Sequence, residues 1–140
     1  MTIDSTVRTG IVIDHITAGR GMLLYELLGL GGSDAPVAII KNVSSSKMGK
    51  KDIIKIESES DFNLDIIGYV DPGATVNVIR EGRLVEKRTI GTPAELRGVI
   101  RCKNPRCITS VEQELEHVFR LTDPETRTYR CLYCETKANQ

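Results

Sequence analysis

Four cysteines lie in the last third of the chain, in two closely spaced pairs. Cys102 and Cys107 have the spacing C-x4-C, and Cys131 and Cys134 have the spacing C-x2-C. Two tight turns of this kind place four thiolates around one Zn²⁺ in a tetrahedron. Four thiolates leave no coordination position for a metal-bound water, so we expect one structural zinc ion per chain rather than a catalytic one.

Two disulfides in a secreted domain, or four unrelated core thiols, are the alternative interpretations of these cysteines. Disulfide-stabilised domains are usually short, secreted and dense in cysteine, whereas no cysteine precedes Cys102 in this chain. Basic residues surround the two pairs, namely Arg101, Lys103, Arg106, Arg130 and Lys137. Because four thiolates and one Zn²⁺ sum to a net negative charge, nearby cations stabilise the site and favour the zinc interpretation.

Charged residues on predicted strands form a second candidate site. Lys51 and Lys55 lie on one face of a predicted strand, about 13 Å apart, and Asp14 and Lys87 lie on two other strands. Two interpretations stay open from the pattern alone. The charges are solvated on an exposed sheet, or the lysines bind a polyphosphate while Asp14 accepts hydrogen bonds from a ribose hydroxyl or a base amino group.

His15 directly follows Asp14, so the two side chains point to opposite faces in a regular strand. Only one of them shares a pocket with the lysines unless the strand ends or bends. A buried, hydrogen-bonded structural histidine is the alternative role for His15.

The chain lacks the common catalytic motifs. It contains no GxGxxG or GxxxxGK[ST] phosphate-binding segment and no nucleophile-elbow serine, and its only histidines are His15 and His117. We therefore expect a protein without a catalytic site of its own.

The predicted elements that carry these residues follow the order β-α-β-β-α-β, with one additional strand. The predicted strands cover residues 10–16, 36–43, 51–57, 74–80 and 83–88. The predicted helices cover residues 22–28, where Gly29 ends the helix, and residues 61–69. This order is that of the ferredoxin-like split βαβ arrangement, an α+β fold with an antiparallel sheet and both helices on one face.

The segment Gly91-Thr92-Pro93 is a predicted linker. It separates a first domain of residues 1–93 from a small all-β, zinc-ribbon-like domain of residues 98–140. A domain of about 40 residues usually needs a metal or disulfides to fold, so zinc is expected to be a condition of its stability.

Composition limits the partners and the compartment. The chain has 19 Lys+Arg and 19 Asp+Glu, which argues against a surface made for nucleic acid. No apolar run approaches the roughly 20 residues that cross a bilayer, and the first residues do not form a basic-then-apolar signal. We expect no membrane association and a cytoplasmic protein.

Several segments, in this order, resemble the regulatory chain of aspartate carbamoyltransferase. The resemblance runs from about residue 7 to residue 135 and includes the two cysteine pairs with 23 residues between them. The other matching segments are residues 10–16 (GIVIDHI), 47–57 (KMGKKDIIKIE) and 74–77 (ATVN).

The resemblance implies a non-catalytic chain of pyrimidine biosynthesis that has an N-terminal nucleotide-binding domain and a C-terminal zinc domain. Its chains pair through the N-terminal domains, and each zinc domain docks on a catalytic chain. The implied effectors are CTP, often with UTP, as inhibitors and ATP as activator.

The resemblance also assigns roles to residues. It implies that Asp14, Lys55 and Lys87 bind ribose, base and phosphates. Residues that line or support this site are His15, Lys51, Asn77 and Ile79. The implied zinc ligands are Cys102, Cys107, Cys131 and Cys134. Contacts to the catalytic chain are implied for Asn104 and Glu135, and also for Arg106, which replaces a family asparagine and suggests an ion pair.

Two further features, one segment and one residue, are expected to affect which nucleotide the pocket selects. The short polar arm Met1–Arg8 replaces the family arms that help close the effector pocket, and Gly82 lies where a larger side chain is expected near the base.

Two other functions compete with the regulatory one. They are a zinc-ribbon protein that binds nucleic acid through its basic and tyrosine residues, and a free-standing nucleotide sensor without a catalytic partner.

Overall fold

The computed structural model describes residues 9–58 and 62–138, and the chain divides into two compact units, residues 1–91 and 92–140. The strands of the first unit are β1 (Gly10–Thr17), β2 (Val37–Ser45), β3 (Gly49–Ile56), β4 (Thr75–Arg80) and β5 (Arg83–Thr89). Its helices are α1 (Gly21–Leu27), α2 (Leu64–Val70) and a short 3-10 helix, Leu30–Gly32. The second unit contains β6 (Glu95–Arg97), α3 (Ile108–Val111), β7 (Val118–Asp123) and β8 (Thr128–Cys131).

The first unit is a five-stranded antiparallel sheet in the order β2-β3-β1-β4-β5. The first strand, β1, lies in the middle of the sheet, and β3 and β4 pair with it on either side. The hairpin β2-β3 and the hairpin β4-β5 then extend the sheet outward. The predicted α+β, ferredoxin-like arrangement with one additional strand is thereby confirmed.

Successive side chains of a strand point to opposite sides, so the sheet has two different faces. On β3, Asp52, Ile54 and Ile56 point to one side and Lys51, Ile53 and Lys55 to the other. The first side is the helix face, because Gly21 of α1 approaches Asp52 and a groove beside α2 is lined by Ile13 and Val76. We call the opposite side the open face.

The helices begin and end at recognisable residues. After α1, Gly29 has φ 69°, the left-handed conformation that a terminating glycine adopts, as predicted. The side chain of Asn63 caps α2 by accepting the Asp65 N–H. The predicted start of that helix at Asp61 lies outside the described residues. Within the described ranges, no helix is long and apolar enough to cross a membrane.

The second unit is built on a three-stranded sheet in the order β6-β7-β8. Strand β6 lies in the segment between the two predicted domains and pairs with β7. Leu96, Phe119 and Tyr129 are almost completely buried and form the apolar centre of this unit. The predicted small β domain is present, with a one-turn helix, α3, directly after Cys107.

Hydrogen bonds fix the chain on both sides of the unit boundary. The Gly91 N–H donates to the Pro72 carbonyl oxygen, 3.1 Å away, within the first unit. The Tyr129 hydroxyl donates to the Pro93 carbonyl oxygen, 2.5 Å away, within the second. Both ends of the predicted linker are therefore anchored.

Candidate functional site

The four cysteine side chains converge in the second unit. Their Sγ atoms all lie within 4.8 Å of one another. The sulfur–sulfur distances are 3.5 Å for Cys102–Cys134 and 3.6 Å for Cys107–Cys131. Zn–S bonds of about 2.3 Å in a tetrahedron place sulfur atoms about 3.8 Å apart. The donor set therefore fits one structural zinc ion.

The cysteines are free thiols rather than disulfides. A disulfide needs sulfur atoms about 2.05 Å apart, and the distances between the two pairs are well beyond that value. The alternative interpretation of the cysteines as disulfides is therefore wrong for this chain.

The thiols differ in how readily they lose a proton. Burial raises the pKa of Cys102 to about 12 and also raises the pKa of Cys131. The Thr136 hydroxyl, 3.1 Å from the Cys134 sulfur, lowers the pKa of that thiol to about 6. The lowered pKa of Cys134 favours its thiolate at neutral pH and the raised pKa of Cys102 favours its thiol, so zinc binding displaces a proton from Cys102.

Hydroxyl and imidazole groups support the cysteines, and the sequence analysis missed them. Thr109 Oγ1 lies 3.0 Å from the Cys107 sulfur, and His117 Nδ1 accepts the Cys102 N–H at 2.9 Å. A threonine two residues after the last cysteine of each pair, as at Thr109 and Thr136, is the signal that was available for the hydroxyls. No comparable signal identified His117.

On the first sheet, strand register aligns three of the predicted nucleotide-binding residues. The alignment runs through the pairs Lys55–Val12, Val12–Asn77 and Asn77–Lys87. Directly paired residues share a face, so Lys55, Asn77 and Lys87 lie in one row across the open face. Four strands about 4.8 Å apart make this row about 14 Å long. We call it the Lys55–Lys87 row.

Asn77 in the middle of this row carries a polar atom with no partner. Its side chain is 6% exposed, and within the described residues its Oδ1 atom accepts no hydrogen bond. A buried acceptor without a partner costs about 1–3 kcal/mol. Such an atom, between two lysines on one face, indicates a place where a donor group of a ligand binds.

Asp14 and Lys51 lie on the same face as the row. The Lys51 Nζ atom is 2.9 Å from Asp14 Oδ1, and both side chains are largely buried. The same carboxylate oxygen accepts the His15 N–H at 2.6 Å. The chain thus supplies its own counter-ion to Lys51.

A β-bulge in β1 brings His15 toward Asp14. The register shifts between Ile13 and Ile16, and His15 has φ 60°, a conformation that costs a residue with a side chain roughly 1–2 kcal/mol. The bend places the His15 ring 3.0 Å from Thr75 Oγ1, and Thr75 is the residue paired with Asp14. The strand therefore bends at Asp14 and His15, which is one of the conditions under which both side chains can share a pocket.

Ile79, the remaining predicted residue of this site, lies within an apolar cluster on the open face. It packs with Val12 and Ile53, and all three are completely buried, with Ile40 and Val43 partly buried beside them. The cluster lies directly beside the row, since Ile79 is two residues from Asn77 on β4. It is a buried apolar neighbour of the row.

Asp52 is a buried carboxylate that the sequence analysis did not single out. It is completely buried, and it accepts backbone N–H groups from Gly19 and Gly21 through Oδ2 and from Asn42 through Oδ1, each at 3.0 Å. It therefore ties the β1–α1 loop and the bulge of β2 to β3. The available signal was a carboxylate on the face of β3 that otherwise carries isoleucines.

The predicted contact residues of the second unit differ in how they are engaged. Asn104 Oδ1 accepts the Arg106 N–H at 3.0 Å, and Asn104 Nδ2 donates to Thr136 Oγ1 at 3.4 Å. Its amide is thus used within the cysteine turn. Arg106 and Glu135 are exposed, and Glu135 has φ 64°.

Two family models match the chain in succession. The model described as "aspartate carbamoyltransferase regulatory chain, allosteric domain" matches residues 2–91. The model described as "aspartate carbamoyltransferase regulatory chain, metal binding domain" matches residues 94–140. The first match carries the five-stranded sheet, and the second carries the four cysteines.

Curated relatives named aspartate carbamoyltransferase regulatory chain are similar over nearly the whole length. The relative from Clostridium acetobutylicum is 45% identical over 135 residues, covering 96% of this chain and 92% of its own. The one from Clostridium tetani is 47% identical over 136 residues (96% and 94%), and the one from Bifidobacterium longum is 41% identical over 134 residues (96% of each). With both domain models matched in order and such coverage, the chain belongs to the family of aspartate carbamoyltransferase regulatory chains.

Proposed function

We propose that this chain is a non-catalytic regulatory subunit that binds ribonucleoside triphosphates on the open face of its first sheet. The unpartnered Oδ1 atom of Asn77, buried between Lys55 and Lys87 in one row, is the observation that carries this proposal. The family's allosteric-domain description, which covers the same residues, supports it.

The groups on this face suit the three parts of such a nucleotide. Lysine ammonium groups of Lys55 and Lys87 bind phosphate oxygens. Lys51 holds the Asp14 carboxylate through their ion pair, and this carboxylate accepts hydrogen bonds from ribose hydroxyls. Asn77 Oδ1 accepts from an amino group of the base, and both cytosine and adenine carry one. Ile79 and its buried apolar neighbours pack beside the row and support it, and His15 holds the bulge that positions Asp14.

We further propose that regulatory chains pair through the first unit and dock through the zinc-binding unit on the catalytic chain of aspartate carbamoyltransferase, with Asn104, Arg106 and Glu135 in contact. CTP, with UTP, then inhibits and ATP activates. Linkage limits the size of each effect. A nucleotide shifts the catalytic chains only by the difference in its affinity for their two quaternary states.

Nucleotide titration of lysine variants tests the site. Lys55→Ala and Lys87→Ala are each expected to lower CTP and ATP affinity about tenfold, because each removes a charge-assisted hydrogen bond. Isothermal titration calorimetry, with and without the catalytic chain, measures the loss. Lys50→Ala is the control, since Lys50 is exposed on the same strand and points to the other face. Unchanged affinity in both test variants would show that the site is assigned wrongly.

A further inference from the structure

The turn between α2 and β4 contains a buried carboxylate, Asp71, to which the proposed nucleotide site gives no role. Its side chain is 7% exposed. Oδ1 accepts the Gly73 N–H at 3.0 Å within the turn, and Oδ2 accepts the Thr17 N–H of β1 at 2.5 Å. The backbone carbonyl oxygen of Asp71 also accepts the Ala74 N–H at 3.1 Å. Asp71 therefore joins the last residue of β1 to the segment that leads into β4.

The hydrogen bond to Thr17 replaces one that β4 is too short to supply. The pairing of β1 with β4 ends at Asp14 and Thr75, whereas on its other edge β1 still pairs through Thr17 with Lys51 of β3. The Asp71 carboxylate accepts the Thr17 N–H beyond the end of β4. A hydrogen bond from a backbone N–H to a carboxylate is about twice as strong as one between neutral groups. The end of β1 is therefore bound on both of its edges.

The segment that this hydrogen bond holds contains the strained residue of the candidate site. His15 has φ 60°, and a residue with a side chain keeps this conformation only where its surroundings fix it. The Asp14 carboxylate accepts the His15 N–H, and the His15 ring lies 3.0 Å from Thr75 Oγ1. Two residues further along the chain, Asp71 fixes Thr17. Without Asp71, the bulge can relax toward a regular strand, in which neighbouring side chains point to opposite faces.

We propose that Asp71 is a positioning residue for nucleotide binding, which holds the His15 bulge and thereby keeps the Asp14 carboxylate where it accepts ribose hydroxyls. Asp71 acts through Thr17 and needs no contact with the ligand. This inference rests on the proposed function, because it takes the open face as the nucleotide site. When the bulge relaxes, the apparent affinity falls in proportion to the fraction of molecules that keep the binding geometry.

Calorimetric titration of CTP into the full-length, zinc-loaded chain tests this role. Asp71→Ala removes both side-chain acceptors and is expected to lower CTP affinity about tenfold. Asp71→Asn keeps one acceptor oxygen for the Thr17 N–H and is expected to recover part of that loss. Asn63→Ala is the matched control, because it removes the cap at the other end of α2 and destabilises the same helix. It is expected to leave CTP affinity unchanged.

The His15 ring gives a second readout, which a general loss of stability does not change. In nuclear magnetic resonance spectra of Asp71→Ala, the ring signals of His15 are expected to move toward those of a solvent-exposed histidine, because the contact with Thr75 loosens. The same signals are expected to stay in place in Asn63→Ala. Circular dichroism shows whether each variant is folded.

Either wild-type CTP affinity or an unmoved His15 signal in folded Asp71→Ala would overturn the inference. If Asp71→Ala does not fold, the same two measurements on Asp71→Asn decide, and wild-type values there overturn it. An equal loss of affinity in Asn63→Ala would overturn it too, because the effect would then follow from the stability of α2. A wild-type chain that binds no CTP would instead refute the proposed function.

Discussion

At the residue scale, the pKa values of the four cysteine thiols make their zinc affinity depend on pH. Zinc binds thiolates, so each thiol still protonated at the working pH must release a proton. The pKa of Cys102 is raised to about 12 by burial, and burial raises that of Cys131 in the same direction. Both therefore give up protons when the metal binds. Cys134, whose pKa is lowered to about 6, is already ionised above neutral pH.

The apparent zinc affinity is therefore expected to rise with pH. Between about pH 6.5 and 8, each displaced proton contributes about a tenfold gain per pH unit. Competition with a chromophoric chelator over this range measures the slope. Thr136→Val removes the hydroxyl that lowers the Cys134 pKa, so it is expected to steepen the slope near neutral pH. An affinity that does not change with pH would contradict the assignment of protonated thiols.

The types and spacing of the cysteines predicted the metal site. The sequence predicted less well which side chains lie together on the open face. The two cysteine pairs indicate a tetrahedral site because metal geometry is encoded in short spacings. The Lys55–Lys87 row depends on strand register, which no spacing within a single strand reveals. Asp14 and His15 show the same limit, since a bulge with φ 60° at a histidine is not visible in a β-branched segment.

At the scale of elements, one carboxylate ties three segments together. Asp52 on β3 accepts N–H groups from the β1–α1 loop and from the bulge of β2. Lys51, which precedes Asp52 on β3, points to the open face and carries the ion pair with Asp14. Asp52 thus supports the candidate site from the opposite face of the sheet.

Asp52→Asn is expected to destabilise the first unit by about 3 kcal/mol. The amide offers one acceptor oxygen in place of two and directs N–H groups toward backbone donors, leaving buried groups unpaired. Urea unfolding followed by circular dichroism measures the change. Asp34→Asn, at an exposed position, is the matched control and is expected to change stability by less than about 0.5 kcal/mol. Equal stability of the two variants would show that the Asp52 hydrogen bonds contribute little.

The order of elements was predictable because hydrophobic alternation and glycine signals are local. Strands β1, β4 and β5 begin at or within one residue of their predicted starts, and Gly29 ends α1 as expected. Less local features were not predicted. Strand β2 continues to Ser45, which pairs with Gly49, so the turn is shorter than the serine-rich sequence indicates. The short β6 is recognisable as a strand only through its pairing with β7.

At the scale of the whole molecule, each unit has its own sheet and its own buried residues, and the cysteines lie in the second. Chelation or mercurial treatment is expected to unfold the second unit and release the chain from its catalytic partner, because a domain of about 50 residues with one structural metal depends on that metal. The first unit is expected to keep binding nucleotide.

Calorimetric titration of CTP before and after metal removal, with circular dichroism of the same samples, measures both effects. Zinc added back is the control and restores docking. Loss of nucleotide binding together with the metal would refute the independence of the two units.

The anchors on either side of the unit boundary limit the backbone freedom of the residues at that boundary. Gly91 is tied to Pro72, and Pro93 is tied to Tyr129, so Thr92 is the single residue between the two hydrogen-bonded anchors. Proline fixes its own φ and confines the preceding residue to extended conformations. Few backbone torsions at Thr92 and Pro93 are therefore left without a constraint from hydrogen bonding or from proline geometry.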